Sequence, residues 1–264
     1  MDEQRPGIAM RIVVALCLAY LLAPVVLVFP LSFSADNVMT FPPTSWGLRW
    51  YSELARNQQM IAAFWNSLIL AILVTAFCLA IGIPAAYAIV RLDVRGAAFL
   101  TSIFTAPLLL PTIVLGLAIL IVFAGAGLIA TWPGLIVAHL VITLPYALRV
   151  LATALQTLPR DIEEAAASLG ASDLRVFLRV TLPLMMPGIV GASALCFLVS
   201  FDEVVVSLFL TGPNLSTLPV QMFHHAEDRA NPMVACIAVL LIAITLAVVL
   251  VVERSVGLAR TFAK

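Results

Sequence analysis

The sequence predicts an all-α protein, a polytopic transmembrane helical bundle of six spans with both termini cytoplasmic. Three observations predict it. The 264 residues are 63% hydrophobic and 11% charged, against roughly 45–50% and 25% in a soluble domain. A chain this short cannot hide so much apolar surface in a water-facing fold, whereas a bilayer absorbs it. The apolar residues gather into six runs, and the basic residues fall unevenly on the segments between them.

The runs cover residues 12–31, 64–90, 99–123, 133–151, 187–210 and 232–252. A hydrocarbon layer of about 30 Å needs about 20 helical residues, so each run can cross. The first is longer than a signal-peptide core of about 7–15 residues. It also follows the acidic Asp2 and Glu3, and it reads as a true span. Gly82 and Pro84 lie inside the second run, Pro107 and Pro111 inside the third. Membrane helices carry such residues as kinks when neighbours satisfy the freed carbonyls. The connecting segments are short except for residues 34–63, 152–186 and 211–231. With no internal repeat or low-complexity tract, residues 1–264 read as one transmembrane domain.

Orientation follows from charge. With the N-terminus inside, the inner segments hold Arg5, Arg11, Arg91, Arg95, Arg149, Arg160, Arg175, Arg179, Arg254, Arg260 and Lys264, and the outer ones only Arg49, Arg56 and Arg229. Basic residues of this kind mark the cytoplasmic side. Trp46, Trp50, Tyr51, Trp65 and Trp132 fall near outer span ends, as an interfacial aromatic belt does. Cys17, Cys78, Cys196 and Cys236 all lie in apolar runs and read as buried thiols, not as a disulfide or zinc framework. Zero net charge gives no sign of a nucleic-acid partner.

The inner segment 156–186 has its own design. Asp161 followed by Glu164 predicts a capping box, and Ile162, Ala165, Ala166 and Leu169 then share one helical face. Gly170 supplies a stop able to take positive φ. Ser172 predicts a second N-cap, with Leu174, Phe177, Leu178 and Thr181 on a face opposite Arg175 and Arg179, and Leu182-Pro183 as its end. The prediction is an amphipathic helix–turn–helix at the membrane surface, with alanines that allow close approach.

The pattern Glu164-Ala165-Ala166, then Gly170, Val180 and Leu182-Pro183 resembles the coupling motif of binding-protein-dependent ABC permeases, with Val180 where that family usually has isoleucine. Ser200-Phe201-Asp202-Glu203, residues 206–210 and 217–220, residues 45–51, His139 with Leu144-Pro145-Tyr146, and residues 167–172 are similar to the spermidine/putrescine type. The resemblance implies a type I ABC-importer-like permease domain in a bacterial inner membrane. It implies as partners two ATPase subunits that use ATP and Mg, a second permease subunit (a paralogue), a periplasmic substrate-binding protein and membrane lipid. Glu164, Ala165, Ala166, Gly170, Val180, Leu182 and Pro183 would dock on the ATPase. No cofactor is expected on this chain itself, which lacks a Gly-x-x-x-x-Gly-Lys loop.

Asp202 and Glu203 lie roughly 10–12 Å below the outer end of the fifth run at 1.5 Å per residue. Carboxylates at that depth face a pathway or a partner. On a continuous helix Ser193, Ser200, Glu203 and Ser207 form one stripe, with Asp202 rotated about 100° away. His139, Thr143 and Tyr146 form another stripe in the fourth run. Stripes facing a shared polar cavity would suit a cationic, polyamine-like substrate. Structural pairing of the acids, or backbone capping at a kink, explains them equally. His139 read alone is a satisfied intramembrane histidine. His224, His225, Glu227 and Asp228 have metal-ligand chemistry, but their place in an outer loop favours a solvated or docking surface. An ion-coupled secondary transporter is the alternative function, although the chain lacks duplicated halves. An intramembrane hydrolase lacks a Gly-x-Ser-x-Gly elbow.

Overall fold

The computed structural model describes residues 7–92 and 94–262. Asp2 and Glu3, which argue against a signal peptide, and Arg5 and Lys264, which contribute to the orientation argument, lie outside the described residues, as does the side chain of Arg260. Among those described the regular structure is helical: α1 (Ile8–Ser32), α2 (Arg49–Leu54), α3 (Gln58–Arg91), α4 (Ala97–Thr105), α5 (Thr112–Ala126), α6 (Trp132–Gln156), α7 (Arg160–Ser168), α8 (Asp173–Val176), α9 (Leu182–Leu184), α10 (Met186–Phe201), α11 (Val205–Leu210), α12 (Leu218–Asp228) and α13 (Met233–Phe262). Met10–Ser32, Gln58–Arg91, Trp132–Gln156 and Met233–Arg254 are each long and apolar enough to cross a membrane, and the number reaches six when each of two bent helix pairs is counted as one span.

The bends correct the expectation of simple kinks. Ala97–Leu109 and Thr112–Ala126 meet at 106°. Leu110 is extended at ψ 140°, and Pro111 follows at ψ 131°. A residue before proline is pushed out of the helical region, so two residues here leave the helix and the third run turns sharply. Asp173–Leu184 and Met186–Phe201 meet at 68°. Leu182-Pro183 is no terminator. Phe177–Thr181 forms a π turn in which the Leu182 N–H donates to the Phe177 carbonyl. Pro183 follows directly on that π turn, and lacking an N–H it leaves the helical ladder one bond short. The run at 187–210 is also broken, α10 stopping at Phe201 and α11 starting at Val205.

The chain forms two compact units. One comprises residues up to Ile61 and Met222–Ala243. In it the apolar window of α1 is wholly unburied, and Cys17 is exposed, contrary to the buried thiol expected, because no described residue packs over this stretch of α1. The segment after α1 is organised by Asp36. Its carboxylate accepts from the Thr44 N–H at 2.8 Å and from the Thr44 and Ser45 hydroxyls at 2.6 Å each. These bonds, the Ser45 one foremost, hold Asp36 well below the usual carboxylate range. Trp50 corrects the aromatic-belt reading at one position. It is 6% exposed and donates its indole N–H to the Asp36 carbonyl at 2.9 Å, whereas Trp46 and Trp65 are 63% and 54% exposed as the belt requires.

The other unit comprises Ala62–Gln221 and the residues from Ile244 onward. Its core joins Leu70, Val74 and Cys78 of α3 with Ala138, Ala147 and Leu151 of α6, and adds Ala192 and Cys196 of α10 and Val206 and Leu210 of α11. Within a membrane, water does not drive helices together, so association rests on close packing by small residues and on internal hydrogen bonds. Gly82 shows how close: a Cβ there would stand 3.1 Å from Leu151 Cδ1 and 3.6 Å from Ala147 Cβ.

Candidate functional site

Two places gather the polar residues singled out in the sequence. The first is the helix pair after α6. α7 begins at Arg160 with Pro159 as N-cap, so the Asp161–Glu164 capping box is not formed. Asp161 and Glu163 lie in the first turn instead, where negative charge complements the helix dipole. The exit from α7 is as expected. Gly170 has φ +86°, its N–H donates to the Ala167 carbonyl at 2.9 Å, and Ala171 N–H reaches Ala166 at 3.2 Å. That crossed pair is a Schellman stop, which needs the left-handed residue glycine provides. Ser172 occupies the N-cap position of α8, although its hydroxyl makes no capping bond.

The pair has two sides. Glu164, Ala165, Leu169, Gly170 and Pro183 are exposed, while Ala166, Val180 and Leu182 are half-buried. Leu169 is 89% and Leu174 68% exposed, so the expected apolar face is present but uncovered. The other side is fixed by a residue the motif does not single out. Glu163 Oε2 lies 2.7 Å from Arg91 Nε, the side chains 15% and 7% exposed. The contact is an ion pair whose N–H direction is not aligned for a hydrogen bond. Glu163 Oε1 accepts from the Thr181 hydroxyl at 2.6 Å. Arg91 Nη2 donates to the carbonyls of Leu155 and Leu158 at 3.1 and 2.9 Å, and Arg160 Nη2 donates to the Val90 carbonyl at 2.9 Å. One guanidinium thus ties α3, the end of α6 and α7 together. Beside it lies a groove of ≈ 680 Å³ lined by Tyr87, Arg91, Glu163, Glu164, Asp173 and Phe177, among others. Arginine at the end of an apolar run, opposite two adjacent glutamates, was the available signal.

The second place is the break between α10 and α11. His139, Thr143 and Ser207 are 0% exposed and Ser200 3%. His139 Nδ1 lies 2.9 Å from Ser200 Oγ, and Nε2 3.0 Å from Ser207 Oγ. The Thr143 hydroxyl donates to the His139 carbonyl at 2.6 Å, and Cys78 Sγ stands 3.0 Å from the Thr143 hydroxyl. The stripes from α6 and the fifth run do face each other, as the sequence suggests. They meet in direct contact, however, and fill the space assigned to a shared cavity. Tyr146 lies two turns further along α6, half-buried.

Asp202 and Glu203 sit in the break itself. Asp202 caps α10, its N–H donating to the Leu198 carbonyl, and its side chain is exposed with no ionic partner among the described residues. Glu203 is half-buried, and its Oε1 accepts from the Val206 N–H at 2.8 Å. That carboxylate caps α11, the kink-capping role held open above. Because the helix stops at Phe201, Glu203 does not share a stripe with Ser193.

His224, His225, Glu227 and Asp228 lie on α12, not in an irregular loop. His225 Nε2 meets Asn231 Oδ1 at 3.0 Å and His224 Nδ1 lies 3.9 Å from Glu227. No group of three potential metal ligands occurs among the described residues.

Comparisons with known proteins bear on the family and the fold. The family described as binding-protein-dependent transport system inner membrane component matches residues 78–259. The chain is 34% identical over 240 residues to the putrescine transport system permease protein PotI of Escherichia coli (strain K12), covering 88% of this chain and 85% of that protein. It is 29% identical over 232 residues to the spermidine/putrescine transport system permease protein PotC of the same strain, covering 88% of each. Among solved structures, a bacterial ABC transporter involved in the import of the acidic polysaccharide alginate superposes with a TM-score of 0.70 at 17% identity, covering 94% of this chain and 95% of that one. The MetNI methionine ABC transporter gives 0.63 at 19%, covering 75% and 94%. At those identities the structural likeness is one of fold.

Proposed function

We propose, from the premise that this chain belongs to the binding-protein-dependent transport system inner membrane components, that it is the permease subunit through which an ABC importer takes up small organic cations of the polyamine type. The chain is a membrane transport component, and ATP hydrolysis is the work of a separate subunit. The partners in this reading are two ATPase subunits that bind ATP and Mg, a paralogous second permease and an external substrate-binding protein. The basic residues put both termini and the 160–184 segment on the cytoplasmic side.

One observation carries the coupling role: the helix pair is uncovered on one side and anchored on the other. Leu169 and Leu174 offer apolar contacts to a docking partner, while Glu163 is locked to Arg91 and Thr181. Force applied to the free side therefore reaches α3 and α6. The cationic substrate class is supported by the putrescine and spermidine names of the relatives and by Asp202. Glu203 spends its carboxylate on the α11 cap, which leaves Asp202 as the charge available to a passing ammonium group.

The test uses the complete transporter, this chain with its partners, in liposomes. Asp202→Asn should lower labelled putrescine uptake about tenfold or more, the worth of one charge-assisted contact, at unchanged complex yield. Glu203→Gln keeps an acceptor for Val206 and should change uptake less. Undiminished uptake by Asp202→Asn overturns the charge-selection reading.

A further inference from the structure

The sequence between Ser200 and Ser207 is apolar enough to continue as helix, yet the chain leaves the helix after Phe201 and re-enters it at Val205. Local chemistry explains part of this, through the Glu203 cap on Val206. The remainder comes from another helix. Ser200 and Ser207 lie at opposite edges of the single imidazole of His139, at 2.9 and 3.0 Å. Ser200 belongs to α10 and Ser207 to α11, so the two bonds of the one ring tie the helix ends on either side of the break to each other. The ring therefore holds the two sides of the break at a fixed separation.

The arrangement is also closed to alternatives. A neutral imidazole has one N–H and one acceptor nitrogen, and a serine hydroxyl both donates and accepts, so both ring nitrogens are satisfied in either tautomer. All three side chains are at most 3% exposed. Parting any pair would strand a buried polar group. On the α6 side, the His139 carbonyl is taken by Thr143, whose hydroxyl in turn contacts Cys78 of α3.

We propose that His139 is a positioning residue that pins the break between α10 and α11 and so holds the Asp202–Glu203 turn at the transport path without touching the substrate. The second half of that statement rests on the reading of Asp202 above; the pin itself does not.

The experiment separates the two. Val204, half-buried within the turn, is replaced by cysteine in a Cys17→Ser background, and its rate of maleimide labelling is measured in the intact transporter. The pin is removed by His139→Leu combined with Ser200→Ala and Ser207→Ala, which leaves no orphaned polar partner and so preserves assembly. Ser200→Ala and Ser207→Ala singly remove one bond each and serve where the triple variant is poorly produced. The expected result is labelling about tenfold faster in the triple variant, and a smaller acceleration in each single one, as loss of hydrogen bonds of this worth implies. The Michaelis constant for putrescine should rise while basal ATP hydrolysis stays unchanged. Labelling within twofold of the parent in every variant overturns the pin. Faster labelling with an unchanged Michaelis constant keeps the pin and refutes only the placement of Asp202 on the path.

Discussion

Replacing Glu163 by alanine separates the anchored side of the coupling segment from its docking side. In the native protein the Glu163 carboxylate lies 2.7 Å from Arg91, the two side chains 15% and 7% exposed, and it accepts from Thr181 at 2.6 Å. Truncation leaves a buried guanidinium without its counter-ion, a change that costs about 3–5 kcal/mol. Arg91 retains its bonds to the Leu155 and Leu158 carbonyls, which places the loss at the lower end, about 3 kcal/mol, or roughly a hundredfold in an equilibrium constant. The assay is the yield and thermal stability of the purified complex beside ATP-driven uptake. Glu163→Ala should lose both yield and uptake. Glu164→Ala alters an exposed side chain and should keep stability within about 0.5 kcal/mol while weakening transport-linked hydrolysis. Arg91→Met with Glu163→Met removes both charges and should recover much of the yield, since apolar replacement of a buried pair is often neutral. If Glu163→Ala matches the parent in stability, the buried pair is not the anchor, and the transmission argument fails with it.

Further outcomes follow from other residues. Gly170→Val meets no atom within 4 Å but must hold φ +86°, a strain of about 1–2 kcal/mol; the protein should insert normally and transport poorly, and wild-type uptake at normal expression would contradict the docking role. Asp36 is held below the ordinary carboxylate range by Ser45 and Thr44. Its contribution to the 33–48 segment is therefore present above the unfolded pKa and lost only as pH falls through the lower folded value. Hydrogen exchange of the Thr44 amide should stay slow down to about pH 4, near the ordinary carboxylate pKa, and deprotection at pH 6 would exclude this role. Reporter fusions after Arg95 and Arg179 should read cytoplasmic and those after Arg56 and Arg229 external; a cytoplasmic signal after Arg229 breaks the six-span topology.

The spans were legible because run length and composition alone decide whether a helix can cross a bilayer. The turn at Gly170 was legible for a similar reason, since only glycine meets its φ without strain. The sharp bend of the third span was half legible: Pro111 was visible, but its restriction of Leu110 counts for more than the kink expected from proline alone. The break after Phe201 was hidden because the apolar run continues on both sides of it, and what ties its two sides together comes from His139, far away in sequence. Of the adjacent glutamates, the motif draws attention to Glu164. Which one turns inward is decided by Arg91, and no local pattern encodes that choice.

Helix α3 carries a mechanical consequence. Near its start, Asn66 donates to the Ser216 carbonyl at 3.0 Å and the Ser67 hydroxyl accepts the Leu218 N–H at 2.8 Å. At its last residue, Arg91 grips the coupling segment. Between them lies one uninterrupted helix about 37 Å long at 1.5 Å per residue, with Pro84 removing a single rung. On the coupling role proposed above, α3 would serve as a connecting rod: its turns are closed by their own hydrogen bonds apart from the rung that Pro84 removes, so an axial shift at the Ser216–Leu218 end would reach the Glu163 end without any side chain along the way having to relay it.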